Sequence, residues 1–400
     1  MKPETHAIHG GRHDSGWSHV PAIDLSTTYK TGLLPEATAS IDAMAAGGEP
    51  AGSPIYQRLH NPTVAGFEEA MATLEKTTHA VAFGSGMAAI TALLLATKGC
   101  GGHIIAVRPM YGGTDHLLSS GLLGVRVTWC APHEISETIE EDTSLILCET
   151  PANPTLALVD ISSVVAQAGS IPVAVDSTFA TPFLQNPGDF GASMVIHSAT
   201  KYIGGHGDAM GGVIACDEEW AGRLRQIRIA TGGILHPFAA YQLHRGLQTL
   251  PIRIRAAQET AQEIARRLNK HTAIERVHYP GISPSSWNGQ LAKRQMKGPG
   301  AMIALELKGG MEWAIRMMEN VRLFTPAVSL GSTDSLIQHP AGLTHRIVDA
   351  EGQKQGGIGD GLIRLSVGLE HVEDLWSDLS FALQSAEEEA PGLSSFPHAV

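Results

Sequence analysis

The chain has 400 residues, 43% of them hydrophobic and 17% charged, a balance that supports a sizeable buried core and excludes a disordered polymer. Its formal net charge of −12 excludes a binder of phosphate backbones, which needs clustered Lys and Arg, so no nucleic acid is expected as a partner. No window reaches the roughly 18 apolar residues of a membrane span, MKPETHAIHGGRHDSG lacks an apolar signal segment, and Cys100, Cys130, Cys148 and Cys216 show no CxxC pairing; the expectation is a soluble cytoplasmic protein with reduced thiols and no membrane partner.

Residues 1–55 read as an N-terminal arm and loop. The Ala/Gly/Pro-rich LLPEATASIDAMAAGGEPAGSP promises little regular structure, which predicts a loop or lid over 34–54. His6, His9, His13 and His19 are irregularly spaced with no nearby Cys, so they read as solvated arm residues, and no metal is expected. NPTVAGFEEAMATLEKT predicts a helix: Asn61 can cap it, Pro62 suits its first turn, and Val64, Phe67, Met71 and Leu74 recur at helical spacing. Strands and helices then alternate. HAVAF, HIIAV, VRVTWC, TSLILCE, IPVAVD, ASMVIHS and GGVIAC are short, nearly continuous apolar strands, with GMAAITALLLAT and ISSVVAQAG as helices between them. That texture belongs to a mostly parallel sheet covered on both faces, here a large domain over 56–250.

PIRIRAAQETAQEIARRLNKH predicts a long amphipathic helix from Pro251, with Ala257, Ala261, Ile264 and Leu268 on one stripe. AMIALELKG, RLFTPAVSL, LIRLSVGLE and a closing helix from about Val372 complete a smaller C-terminal α+β domain over 251–400. The fold class is therefore α/β with a second, α+β domain, and no internal repeat is visible.

Three features carry chemistry. In HSATKYIGGHGDAMGG, Lys201 lies just past the end of a strand, where open parallel sheets bind ligands, and the glycines after it let backbone approach something closely. Asp176 ends IPVAVD at the same sheet edge. FGSGMAAI turns from strand to helix through Gly84, Ser85 and Gly86, and the free N–H groups of that helix start suit a phosphate. A Schiff-base lysine, a carboxylate for a pyridine nitrogen and a phosphate cradle are together what pyridoxal 5′-phosphate requires of a protein.

SATKYIGGHGD resembles the cofactor-lysine signature of the Cys/Met-metabolism enzymes. These are the γ-subfamily of fold-type I pyridoxal-phosphate enzymes, which includes methionine γ-lyase, cystathionine γ-lyase, cystathionine γ-synthase and O-acetylhomoserine sulfhydrylase. The similarity continues in THAIHGG, YQRLHNPT, FGSGMAAI, MYGGT, ETPANPT, VAVDSTFATPFLQNP, SLGSTDSLIQHPAGLTH and IRLSVGLE, nearly end to end. The resemblance implies a fold-type I, transferase-like architecture. It also implies that Lys201 carries the cofactor and shuttles protons, and that Asp176 pairs with the ring nitrogen. Gly86 and Met87 amides with Ser198 and Thr200 hydroxyls would hold the phosphate, and Tyr111 would stack on the ring as acid and base. Arg364 would bind the substrate carboxylate bidentately, with Ser329 orienting the lysine beside it. Tyr56 and Arg58 would reach the phosphate of a neighbouring subunit, so the expected assembly is a homo-oligomer with a dimer as catalytic unit, and a tetramer by family habit.

The family both eliminates and replaces γ-substituents with the same groups. Val328 before the serine of SLG resembles methionine γ-lyases, cystathionine-handling members tending to carry Glu there. Leu59 stands where γ-synthases that use succinylated homoserine place a basic residue. Gly113 occupies the site of the cysteine characteristic of methionine γ-lyases, and Gln57 replaces the serine of the family's YSR. The leading expectation is α,γ-elimination from methionine-like or homocysteine-like amino acids, with γ-replacement on an activated homoserine plus a thiol as the alternative. An aminotransferase would share the fold but require an added keto acid, and a non-catalytic binding role is disfavoured because every catalytic position is filled.

Overall fold

A computed structural model describes residues 1–12, 17–98 and 102–388 of the chain, so His13 and Cys100 lie outside the described residues. Helix α1 (Pro3–His9) begins the arm, and α2 (Leu34–Ala45) occupies the segment expected to be a loop. Flanking Gly and Pro dominated the composition there and hid a helix whose Ala37, Ser40 and Met44 are buried at i, i+3 and i+7, with Pro35 in its first turn. Helix α3 (Pro62–Glu75) forms as expected, the Asn61 side-chain Oδ1 accepting from the amides of Thr63 (3.0 Å) and Val64 (3.2 Å).

The large sheet is built from β1 (His79–Phe83), α4 (Gly86–Lys98), β2 (His103–Val107), α5 (Gly112–Ser119), β3 (Arg126–Cys130), β4 (Thr143–Glu149), α6 (Ile161–Ala168), β5 (Val173–Asp176), α7 (Thr181–Leu184), β6 (Met194–Ser198), β7 (Gly212–Cys216) and α8 (Glu218–Thr231). Its seven strands run in the order β1-β7-β6-β5-β4-β2-β3. Only β7 is antiparallel to its neighbours; every other pairing is parallel. Ala174, Met194 and Ile196 turn to the α4 and α8 face, whereas Val173, Val175 and Ile146 pack toward α6, which explains strands apolar on both sides. Cys148 and Cys216 are buried free thiols, pushed up to about 12 by burial and so held protonated.

The long helix α9 (Pro237–Leu268) starts well before the expected Pro251, capped by the His236 side chain. A proline after a leucine-rich stretch reads equally as a helix start, yet Pro251 is buried inside this one. The expected stripe of Ala257, Ala261, Ile264 and Leu268 is buried. Beyond it lie β8 (Ile274–His278), α10 (Trp287–Gln295), β9 (Met302–Leu307), α11 (Gly310–Asn320), β10 (Thr325–Pro326), β11 (Leu336–Gln338), α12 (Ala350–Gln355), β12 (Leu362–Ser366) and α13 (Val372–Glu387). The second sheet has the order β10-β11-β12-β9-β8, antiparallel apart from β10 with β11. One continuous apolar cluster runs from Phe67 of α3 through Ile254 and Ile264 of α9 to Ile303 of β9 and Leu379 of α13, joining the two sheets.

Candidate active site

The carboxyl ends of β4, β5 and β6 and the turn after β1 surround a cavity of about 400 Å³, closed on the other side by residues 328–330, Leu343, Thr344 and Arg364. At the β1–α4 turn, the Ser85 hydroxyl caps the helix by accepting from the Ala88 amide (3.0 Å). The Gly86 and Met87 amides have no acceptor among the described residues, as expected for the first turn of a helix. The turn must lie against β6 and β7: a Cβ on Gly86 would meet Ser198 Cβ at 3.0 Å, and one on Gly212 would meet the Ser85 carbonyl oxygen at 2.2 Å.

That contact accounts for part of the glycine run after Lys201. Gly205 accounts for more, with φ +73° and no room for a side chain, because a Cβ would fall 2.0 Å from Arg253 Nη1. The Arg253 guanidinium donates to the carbonyls of Tyr202 (2.8 Å), Ile203 (3.3 Å) and Gly246 (2.8 Å), tying the lysine-bearing loop to α9. The glycines therefore serve close approach of the chain to itself, which shapes the cavity from behind.

Inside the cavity, Lys201 Nζ donates to Ser329 Oγ (2.8 Å). Burial, with a smaller contribution from the Arg364 charge, brings Lys201 down to about 8. Arg364 is buried, donates to Asn153 Oδ1 (2.7 Å) and to the Ser329 carbonyl (2.7 Å), and is lowered to about 10 by burial. Ser329 itself has φ +88°, a strained backbone position for a non-glycine residue that links the lysine and the arginine. Asp176 Oδ1 accepts from the amide (3.0 Å) and hydroxyl (2.5 Å) of Thr178, while its other oxygen has no donor among the described residues. Burial pushes Asp176 up and outweighs the Thr178 hydrogen bonds.

One buried carboxylate was not singled out from sequence. Glu149 ends β4 as Asp176 ends β5, the two being register partners, and it accepts from the amides of Tyr111 (2.6 Å) and Asn153 (2.8 Å). It is raised well above the ordinary range, first by burial and then by the Asp176 charge. The signal was available: TSLILCE delivers an acid to the sheet edge just as IPVAVD does. Asn153, Thr178, Phe179, Met210 and Leu343 also line the cavity without having been predicted.

Of the expected residues, Gly86, Met87, Tyr111, Asp176, Ser198, Thr200, Lys201, Ser329 and Arg364 line this one cavity. The Thr200 hydroxyl is engaged with Gly211, donating to its carbonyl (3.2 Å) and accepting from its amide (3.1 Å). Tyr56 and Arg58 do not join the cavity. Tyr56 is 45% exposed, and Arg58 donates to the Ile229 carbonyl of α8 (2.7 Å).

These donors fit pyridoxal 5′-phosphate. Two unpartnered helix-start amides beside Ser198 suit a phosphate, the unpartnered oxygen of the half-buried Asp176 suits a protonated ring nitrogen, and a lysine lowered to about 8 suits an aldehyde.

The family model of "Cys/Met metabolism PLP-dependent enzyme" matches residues 4–384. An L-methionine gamma-lyase of Brevibacterium sandarakinum is 55% identical over 395 residues, covering 98% of this chain and 99% of that protein. One of Streptomyces avermitilis is 54% identical over 384 residues, covering 95% and 88%. Among solved structures, cystathionine gamma-lyase from Lactobacillus plantarum, complexed with L-serine, superposes with a TM-score of 0.88 at 35% identity, covering 97% of this chain and 100% of that one. With motif order, fold and cavity in agreement with these matches, the chain belongs to the Cys/Met metabolism family of PLP-dependent enzymes.

Proposed function

We propose that the chain is a C–S lyase that performs α,γ-elimination on methionine or a closely similar apolar thioether amino acid, releasing a thiol, ammonia and a 2-oxoacid. One observation carries the substrate class. Of the charged side chains lining the cavity, Glu149, Lys201 and Arg364 are hydrogen-bonded and Asp176 is so through one oxygen, its other being the one suited to the cofactor; the rest of the wall includes Ile90, Phe179, Met210, Val328, Leu330 and Leu343. Such a wall suits an S-alkyl group. A second distal charge, as in cystathionine, would be desolvated there without a counter-charge. The similarity to the L-methionine gamma-lyases of Brevibacterium sandarakinum and Streptomyces avermitilis supports the same reading.

When bound, pyridoxal phosphate supplies the electron sink that acidifies the protons on substrate Cα and Cβ. Gly86, Met87 and Ser198 would hold its phosphate, with Thr200 beside them, and Asp176 its ring nitrogen. Arg364 and Asn153 form a preorganised clamp for the substrate carboxylate. Lys201 would carry the cofactor and, whenever it is a free amine lowered to about 8, would take and return protons near neutral pH, with Ser329 orienting its Nζ. Tyr111, 39% exposed and fixed through its amide to Glu149, faces the leaving sulfur and exchanges a proton with it. Tyr56 and Arg58 reach the phosphate in a neighbouring subunit, so a homodimer is the catalytic unit, extended to a tetramer, in the cytoplasm. The arm (1–55), the large domain (56–250) and the small domain (251–400) divide this labour.

The test is 2-oxobutyrate release from methionine, homocysteine, cystathionine and O-acetylhomoserine, each with and without added thiol. Release from methionine without thiol is expected. Turnover of the activated ester alone, diverted to a thioether by thiol, would make the protein a γ-replacement enzyme.

A further inference from the structure

The segment between α2 and Tyr56 is anchored to α8 by a small charged cluster outside the cavity. Glu49 bridges two groups: its Oε1 pairs with Arg225 of α8, and its Oε2 lies 3.2 Å from His60 Nδ1. Arg225 also donates to the Gly47 carbonyl (3.2 Å), and Gln226 to the Ala45 carbonyl (3.2 Å). The backbones touch as well. Gly47 has φ +88°, and a Cβ there would stand 2.4 Å from the Gly222 carbonyl oxygen. The Ser40 hydroxyl donates to the Ser53 carbonyl (2.7 Å), closing α2 against the strand-like stretch that follows.

Between Glu49 and His60 lie Tyr56 and Arg58, both exposed and neither lining this chain's own cavity. The side chain of Arg225 is 9% exposed, so it needs a counter-charge, which Glu49, 53% exposed, supplies. A bridge of this kind orders a segment locally. An exposed pair that must act on another molecule gains affinity when its segment is already fixed, because the ordering entropy is not lost on binding.

We infer that Glu49 is a positioning residue, clamping the α2–His60 segment onto α8 so that Tyr56 and Arg58 are presented in a fixed arrangement to a second copy of the chain. The inference rests on the reading that these two side chains complete the neighbour's phosphate site. It assigns a role to the Ala/Gly-rich segment 34–54, which forms the base of that presentation.

The experiment is titration of cofactor-free full-length protein with pyridoxal 5′-phosphate, followed by fluorescence quenching, for the wild type, Glu49→Gln, Arg58→Ala and the double variant. Glu49→Gln should raise the dissociation constant about tenfold, the scale of one charge-assisted contact, and lower the melting temperature because Arg225 loses its counter-charge, so hybrid subunits are needed to separate the clamp from that loss of stability. The double variant should be no weaker than Arg58→Ala alone. In hybrids of Glu49→Gln with Lys201→Ala subunits, the site that keeps Lys201 receives Tyr56 and Arg58 from an intact clamp, so wild-type affinity should return there. Weak binding persisting in the hybrid would show that Glu49 acts within its own subunit and would overturn the inference. Normal affinity in Glu49→Gln beside weak affinity in Arg58→Ala would sink the clamp alone, and normal affinity in Arg58→Ala would remove the shared site and the clamp with it.

Discussion

The Lys201 amine is lowered from its ordinary 10.5 to about 8, with burial as the larger cause and the Arg364 charge as the smaller. Holding the ammonium form in the cavity therefore costs roughly 3 kcal/mol relative to water. At pH 8 about half of the amines are neutral, against roughly one in 300 for an unperturbed lysine. The cofactor-free protein should react with a small aldehyde at a rate that rises through an inflection near pH 8, measured by borohydride trapping and mass analysis of the peptide bearing residue 201. Arg364→Met should move that inflection up only part of the way, since burial remains. Lys201→Ala should abolish the adduct. Because the unfolded chain binds more protons between about pH 8 and 10.5, the cofactor-free protein should also gain stability as pH rises across that window, and carry the full penalty below it. An inflection near 10.5, or an unchanged adduct in Lys201→Ala, would refute the burial argument.

Gly212→Ala forces a Cβ toward the Ser85 carbonyl and should displace the phosphate turn at a cost of about 1–3 kcal/mol, seen as weakened cofactor binding; Gly52→Ala, which meets nothing within 4 Å, should leave binding unchanged. Asp176→Asn removes the carboxylate proposed to pair with the ring nitrogen and should weaken cofactor binding about tenfold, measured by the same quenching titration. Arg228→Met strands the buried Glu68, which lies 2.5 Å from it, and should destabilise the fold by about 3–5 kcal/mol in urea; Glu68→Gln added to it should recover part of the loss.

The apolar strands, the Asn61-capped helix and the strand ends carrying Asp176 and Lys201 were legible because each is written locally, in periodicity or in a residue that punctuates it. Helix α2 was not, because glycines and prolines flanking a short helix swamp its composition even though Ala37, Ser40 and Met44 keep helical spacing. The start of α9 was misplaced because Pro251, tolerated within a packed helix, looks like a first-turn proline when read alone. Glu149 went unassigned although TSLILCE places an acid at the sheet edge; what the sequence alone does not show is its register beside Asp176, which comes from the pairing of β4 with β5. The glycines after Lys201 were read as allowing close approach of backbone, and they do; what they approach, Arg253 at Gly205 and Ser85 at Gly212, depends on residues far away in the chain and was not legible.

The helix α9 has a consequence for how the two halves of the molecule move. At 1.5 Å per residue its 32 residues extend about 48 Å. Arg253 fastens the Lys201 loop near its middle, while Ala257, Ala261 and Ile264 share a core with β9, whose Ala304 is the register partner of Arg364. The amine proposed to hold the cofactor and the guanidinium proposed to bind the substrate carboxylate are thus both referred to one rod, like two sights mounted on the same barrel, so their mutual aim is set by α9 rather than by the surrounding shell.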